Sequence, residues 1–191
     1  MKILGKTTID KDLKEISVSE FLAITGGIIG GTFLSTLTDN FGLIAGLFIL
    51  FPGLLEMHGN IYGSLSARLS NLLLLNKLKN KRELRYFMRQ NIFASLFLLF
   101  FVSSVLGIIS YLFIYFIFGI NNYFIILISI LSSMLCAIIE VPFTIYTTLW
   151  LFKHQFDPED IMGPYVTTLG DILSIVSLIV VMGLFLWKPE I

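Results

Sequence analysis

The sequence predicts an all-α, polytopic membrane protein with five transmembrane helices, and three observations carry that expectation. Apolar residues fill 56% of the 191 positions, with 18 Phe and a mean hydropathy of +0.89, more than a soluble domain of this length hides from water. Five apolar segments lie near residues 21–38, 41–57, 92–118, 123–152 and 164–187. With some tilt, and a polar continuation for the shorter two, each approaches or exceeds the roughly 20 residues that cross about 30 Å of hydrocarbon. No run alternates with period two, which excludes lipid-facing barrel strands.

The formal net charge is zero, but the basic residues are unevenly placed. Lys2, Lys6, Lys11 and Lys14 precede the first segment, and Arg68, Lys77, Lys79, Lys81, Arg82, Arg85 and Arg89 lie between the second and third. Lys153 precedes the fifth segment, and only Lys188 is left for the other side. The positive-inside rule then puts the amino terminus in the cytoplasm and the carboxyl terminus outside, in a multi-pass protein of the cell membrane.

Residues 1–20 read as a cytoplasmic leader in which Ile9, Leu13, Ile16 and Phe21 are spaced for an amphipathic helix on the membrane surface. A cleaved signal peptide is a poor fit, because the leader is mixed in charge and no A-x-A-like site ends a short apolar core. Residues 21–188 read as a single transmembrane domain. In its first segment Gly26, Gly30 and Gly27, Gly31 repeat one turn apart, which permits close helix packing. The second segment keeps a helical stripe through Pro52, Glu56, Gly59, Asn60 and Gly63. A single helix over 41–75 would be about 52 Å long, so it must project into the cytoplasm or break, with Pro52 and Gly59 as the break points. The basic stretch near 76–89 reads as a solvated loop touching anionic headgroups. No base-reading surface accompanies it, so no nucleic-acid partner is expected.

Asp171 lies inside the apolar stretch from Pro164 to Trp187, and an intramembrane acid is a functional-site hypothesis by default. Pro164, Thr167, Thr168, Asp171 and Ser174 recur at spacings of three and four, a face rich in oxygen ligands. Oxygen ligands without imidazole or thiolate suit a hard divalent cation such as Mg²⁺, Ca²⁺ or Mn²⁺. Asn60 pairs with a neighbouring helix, or with Gly59 at a helix break offers carbonyls and an amide oxygen to a pore, a lining that Glu56 extends. Glu140, two residues before Pro142, is a second acid at depth and is expected to face inward. His58 and His154 read as membrane-edge side chains, and the single Cys136 as core packing. Glu56, Glu140 and Asp171 lie on separate helices with no hydrolase, P-loop or dinucleotide motif around them. No enzyme is expected, and no cofactor beyond the transported ion.

Two motifs make a family resemblance. They read PGLLEMHGN (52–60) with SARLS (66–70), and DPEDIMGPYVTTLGD (157–171), Gly163 and Pro164 included. In this order, on the second and fifth segments, they resemble the membrane domain of the MgtE family of magnesium channels, and above all its solute-carrier branch. The resemblance covers residues 20–188. It implies a homodimer whose pore runs along the two-fold axis, lined by the second and fifth helices. It further implies that Asp171 of each subunit binds the partly hydrated ion, with a Thr167 carbonyl one turn earlier and Gly59-Asn60 opposite. Mg²⁺ dehydrates reluctantly, so a wide site that keeps its water shell suits it.

The chain also departs from the family pattern. MgtE proper carries large cytoplasmic sensing domains ahead of its membrane part, and no segment here is expected to act as one. Glu56 stands where the family usually has a small residue, and Tyr62 where the animal branch often has an acid. Two alternatives stay open: a proton- or sodium-coupled exchanger using Glu56 or Glu140, and a non-transporting membrane scaffold.

Overall fold

The computed structural model describes residues 46–74, 81–154, 156 and 158–186, with isolated helical positions between 13 and 32. The glycine pairs of the first segment, most of the leader, Lys77, Lys79, Asp157 and Lys188 lie outside the described residues. Everything described is helix or short connection. The four helices are α1 (Leu47–Leu74), α2 (Lys81–Phe118), α3 (Phe124–Lys153) and α4 (Pro158–Leu186).

Local chemistry explains most of their limits. α2 runs without proline, and its first glycine is Gly107, so good helix formers carry it back through the basic residues to Lys81. Arg82, Arg85 and Arg89 therefore sit on helix, where charge density alone suggests a solvated loop. Gly119 ends α2 with φ of +66°, a conformation glycine adopts without strain, and its N–H bonds the Tyr115 carbonyl at 3.1 Å. Asn121 accepts from the Tyr111 hydroxyl at 3.0 Å, and Asn122 from the Phe124 N–H at 3.2 Å, which ties the short link into α3. α4 opens on Pro158, whose fixed φ suits a first helical position.

Of the two alternatives for the second segment, a projecting helix or a break, α1 shows no break at Pro52 or Gly59. It is one helix of 28 residues, about 42 Å at 1.5 Å per residue, with Pro52 inside it and Gly59 in regular helix.

Registers give an up-and-down bundle. Gly53 approaches Leu106, Gly107 approaches Ile126, and Ser66 bonds Thr148, so α2 runs against both α1 and α3, which are parallel. Glu140 meets Gly170 and Cys136 meets Ser174, so α4 runs against α3. α1 and α3 each pack on all the other described helices, while α2 and α4 lie on opposite flanks. Leu50, Leu54, Leu65, Ile128, Val141, Ile175 and Leu178 fill the core between them.

Among the described residues, three helices are long and apolar enough to cross a membrane: Arg82–Phe118, Phe124–Lys153 and Ile161–Phe185. Half of the α3 span is buried against 22% of the α2 span, which makes α3 central and α2 peripheral. The outer face of α2 carries Phe93, Phe97, Phe100, Phe101 and Phe116, all exposed, a surface that suits lipid tails and not water. Its inner face carries Ser95, Ser103 and Ser110, small enough to bring α3 close. There the Ser129 hydroxyl donates to the Ser103 carbonyl at 2.6 Å. A Cβ at Gly107 would stand 2.8 Å from the Ile126 Cα, so nothing larger than glycine fits without moving backbone. Gly107→Ala is therefore expected to destabilise the bundle by about 1–3 kcal/mol, the usual cost of overpacking, read as a lower unfolding midpoint in detergent.

Candidate functional site

Two helices build the site. α1 and α4 cross where Gly59 meets Thr167, and a Cβ at Gly59 would lie 3.5 Å from both side-chain tips of Thr167. That close approach opens a cleft of about 450 Å³ beside it, lined by Pro52, Leu55, Glu56, Gly59 and Asn60 of α1 and by Thr167 and Asp171 of α4.

Each polar side chain is set by its own helix. Glu56 and Asn60 are one turn apart, and the Asn60 amide donates to Glu56 Oε1 at 3.0 Å, which leaves the Asn60 Oδ1 as acceptor. Thr167 turns its hydroxyl back onto the Gly163 carbonyl at 2.9 Å, and Thr168 onto the Pro164 carbonyl at 2.8 Å. Their oxygens keep lone pairs for a ligand. Asp171 is half-buried and lines the same cleft as Glu56, so two carboxylates of like charge share it with an amide and a hydroxyl. A divalent cation offsets that repulsion, and hard oxygen donors are what Mg²⁺ or Ca²⁺ accepts.

The cleft opens on the flank of the described bundle. Pro52, Glu56, Asn60 and Ser64 are exposed along α1, as are Gly163 and Thr167 along α4. A Cβ added at Gly63 or Gly163 would meet nothing within 4 Å, so this flank stays open beyond the cleft. α4 begins ahead of the apolar stretch, which places Asp171 near the middle of the helix.

Other residues singled out from the sequence stand elsewhere. Ser174 turns away from the cleft into the bundle, where it is 2% exposed and bonded to His58 of α1. Glu140 faces inward but not into the cleft. It is fully buried, accepts from the Cys136 thiol at 3.2 Å, and lies against Gly170. Cys136 is thus a hydrogen-bond donor to an acid as well as core packing. His154 is exposed at the end of α3, but His58 is 1% exposed and stacked on Tyr62 at 5.6 Å, inside the bundle and not at a membrane edge. The i, i+4 series His58, Tyr62, Ser66, Ser70 is the sequence signal for this second polar face of α1.

The family model for MgtE, described as a divalent cation transporter, matches residues 51–181. The match starts in α1 and ends in α4, so it takes in both walls of the cleft. No curated protein and no solved structure gives a significant match.

Gly170 is where the cleft helix and the buried acid touch, since a Cβ there would stand 2.8 Å from Glu140 Oε1. Gly170→Ala is expected to lower the detergent unfolding midpoint, by about 1–3 kcal/mol. Gly183→Ala, with open space at its Cβ position, should change stability by no more than about 0.5 kcal/mol.

Proposed function

Because the chain belongs to the MgtE family of divalent cation transporters, we propose that it carries Mg²⁺ across the cell membrane through a pore shared by two copies. Asp171 of each copy holds the partly hydrated ion, Glu56 and Asn60 line the approach, and Thr167 contributes oxygen one turn away. The motifs at 52–60 and 157–171 favour the solute-carrier branch of the family. The topology in this reading is five spans, with the first apolar segment preceding α1.

The observation that carries the proposal is the outward-facing cleft with two carboxylates in it. An Asp at the centre of a lipid-facing helix costs about 2.5–3.5 kcal/mol, and Glu56 and Asn60 stand exposed beside it. Such a face is stable when it borders water and protein instead of acyl chains. A second copy packed on the same flank supplies both, with the two clefts joined into one hydrated path along the symmetry axis. Paired carboxylates across that axis hold a divalent ion through its water shell without stripping it.

Asp171→Ala is expected to reduce Mg²⁺ flux in proteoliposomes to the level of empty vesicles while the variant keeps its helix content. Unchanged flux would remove Asp171 from the ion path. The shared pore has a separate test, because the only native cysteine is buried. Under mild oxidation Ser64→Cys, on the cleft flank, should give a covalent dimer. Phe97→Cys, on the outer face of α2 at 68% exposure, should not. A chain that stays monomeric while transporting at full rate would rule the shared pore out.

A further inference from the structure

α1 carries a second polar line on the side away from the cleft. His58, Tyr62, Ser66 and Ser70 follow one another one turn apart, all buried. α3 runs parallel beside them and contributes Cys136, Glu140, Thr144 and Thr148. Polar contacts join the line along its length. His58 bonds Ser174, which lies 3.9 Å from the Cys136 thiol, and that thiol donates to Glu140. Tyr62 faces both Cys136 and Glu140. Ser66 bonds Thr148 at 2.9 Å, and Thr148 donates to the Thr144 carbonyl at 2.7 Å.

The bonds leave a remainder. Ser174 spends its hydroxyl hydrogen on the Gly170 carbonyl at 2.5 Å, so it accepts from His58 Nδ1–H, and His58 Nε2 keeps a bare lone pair. Nε2 has no partner among the described residues, and neither do the Tyr62 hydroxyl, Ser70 Oγ, Ser133 Oγ, Glu140 Oε1 or Thr144 Oγ1. None of these six residues is more than 1% exposed. Lipid cannot satisfy such groups, and a buried polar atom without a partner is costly. Bound water, which both donates and accepts, normally makes about three hydrogen bonds to groups of this kind.

We propose that the bundle interior binds a file of water molecules between α1 and α3, separate from the cation cleft, entered near Ser70 and reaching past Thr144 to Glu140 and Cys136. Ser70 lies about one turn from the end of α1 and is the outermost of these groups toward that end of the helix. Ser133, a turn beyond Cys136, closes it. Glu140 packed on Gly170 forms the wall between the file and the cleft. The file does not depend on the cation reading and stands if that reading fails.

Cys136 makes the test specific, because it is the only cysteine in the chain and lies in the file. Its S–H stretch gives one infrared band, clear of other protein absorption, which moves when the thiol hydrogen exchanges for deuterium. The full chain, reconstituted in lipid bilayers and transferred to D₂O, should lose the S–H band within minutes. Thr144→Val keeps the side-chain shape but removes a hydroxyl between Ser70 and Cys136, and should slow that loss. Should this variant fail to fold, Ser70→Ala tests the mouth of the file in the same way. An S–H band that persists for hours in the unaltered chain overturns the proposal, as does exchange equally fast in a folded variant.

Discussion

Hydrocarbon cannot solvate a charge, and the arrangement of this bundle follows from what is done with three acids, two of them on helices apolar enough to cross a membrane. Glu140 is enclosed between helices, with a thiol on one oxygen and a glycine making room for the other. Glu56 and Asp171 are brought together in an open cleft, where a close crossing at Gly59 and Thr167 sets the distance between their helices. The same small residues serve packing and chemistry. A side chain at Gly170 would displace Glu140, while a Cβ at Gly59 would come into ordinary contact with Thr167, so the packing of α4 on its neighbours and the shape of the cleft are linked.

Much of the cleft is legible in the sequence because its residues are few and conspicuous. Glu56, Asn60 and Asp171 interrupt otherwise apolar runs, and the one-turn spacing on α1 places Pro52, Glu56 and Asn60 on one side. Periodicity fails where a helix meets two neighbours at once. Asp171 and Ser174 are three apart, which separates them by about 60° around the axis, near enough to share a face on a helical wheel. The boundary between cleft and core falls between them, and only the position of α3 reveals it. His58 escapes sequence reasoning for the same reason, since it sits between Glu56 and Asn60 in the chain and points the opposite way.

Element limits are hardest to read where two local signals conflict. Charge marks 76–89 as a loop, although residues 81–89 are good helix formers without proline or glycine, and α2 extends through them. Gly59 suggests a break, although a glycine in a packed helix often marks a close contact, as it does here with Thr167. The family match over 51–181 agrees with the motif reading of the chain at both walls of the cleft.

α1 is polar on two sides: Glu56, Asn60 and Ser64 look outward, while His58, Tyr62, Ser66 and Ser70 look into the bundle. It is correspondingly absent from the helices apolar enough to cross a bilayer on their own account. The partners of that inner face, Thr148 on α3 and Ser174 on α4, both follow α1 in the chain, so its polar groups are matched only after the later helices have been made.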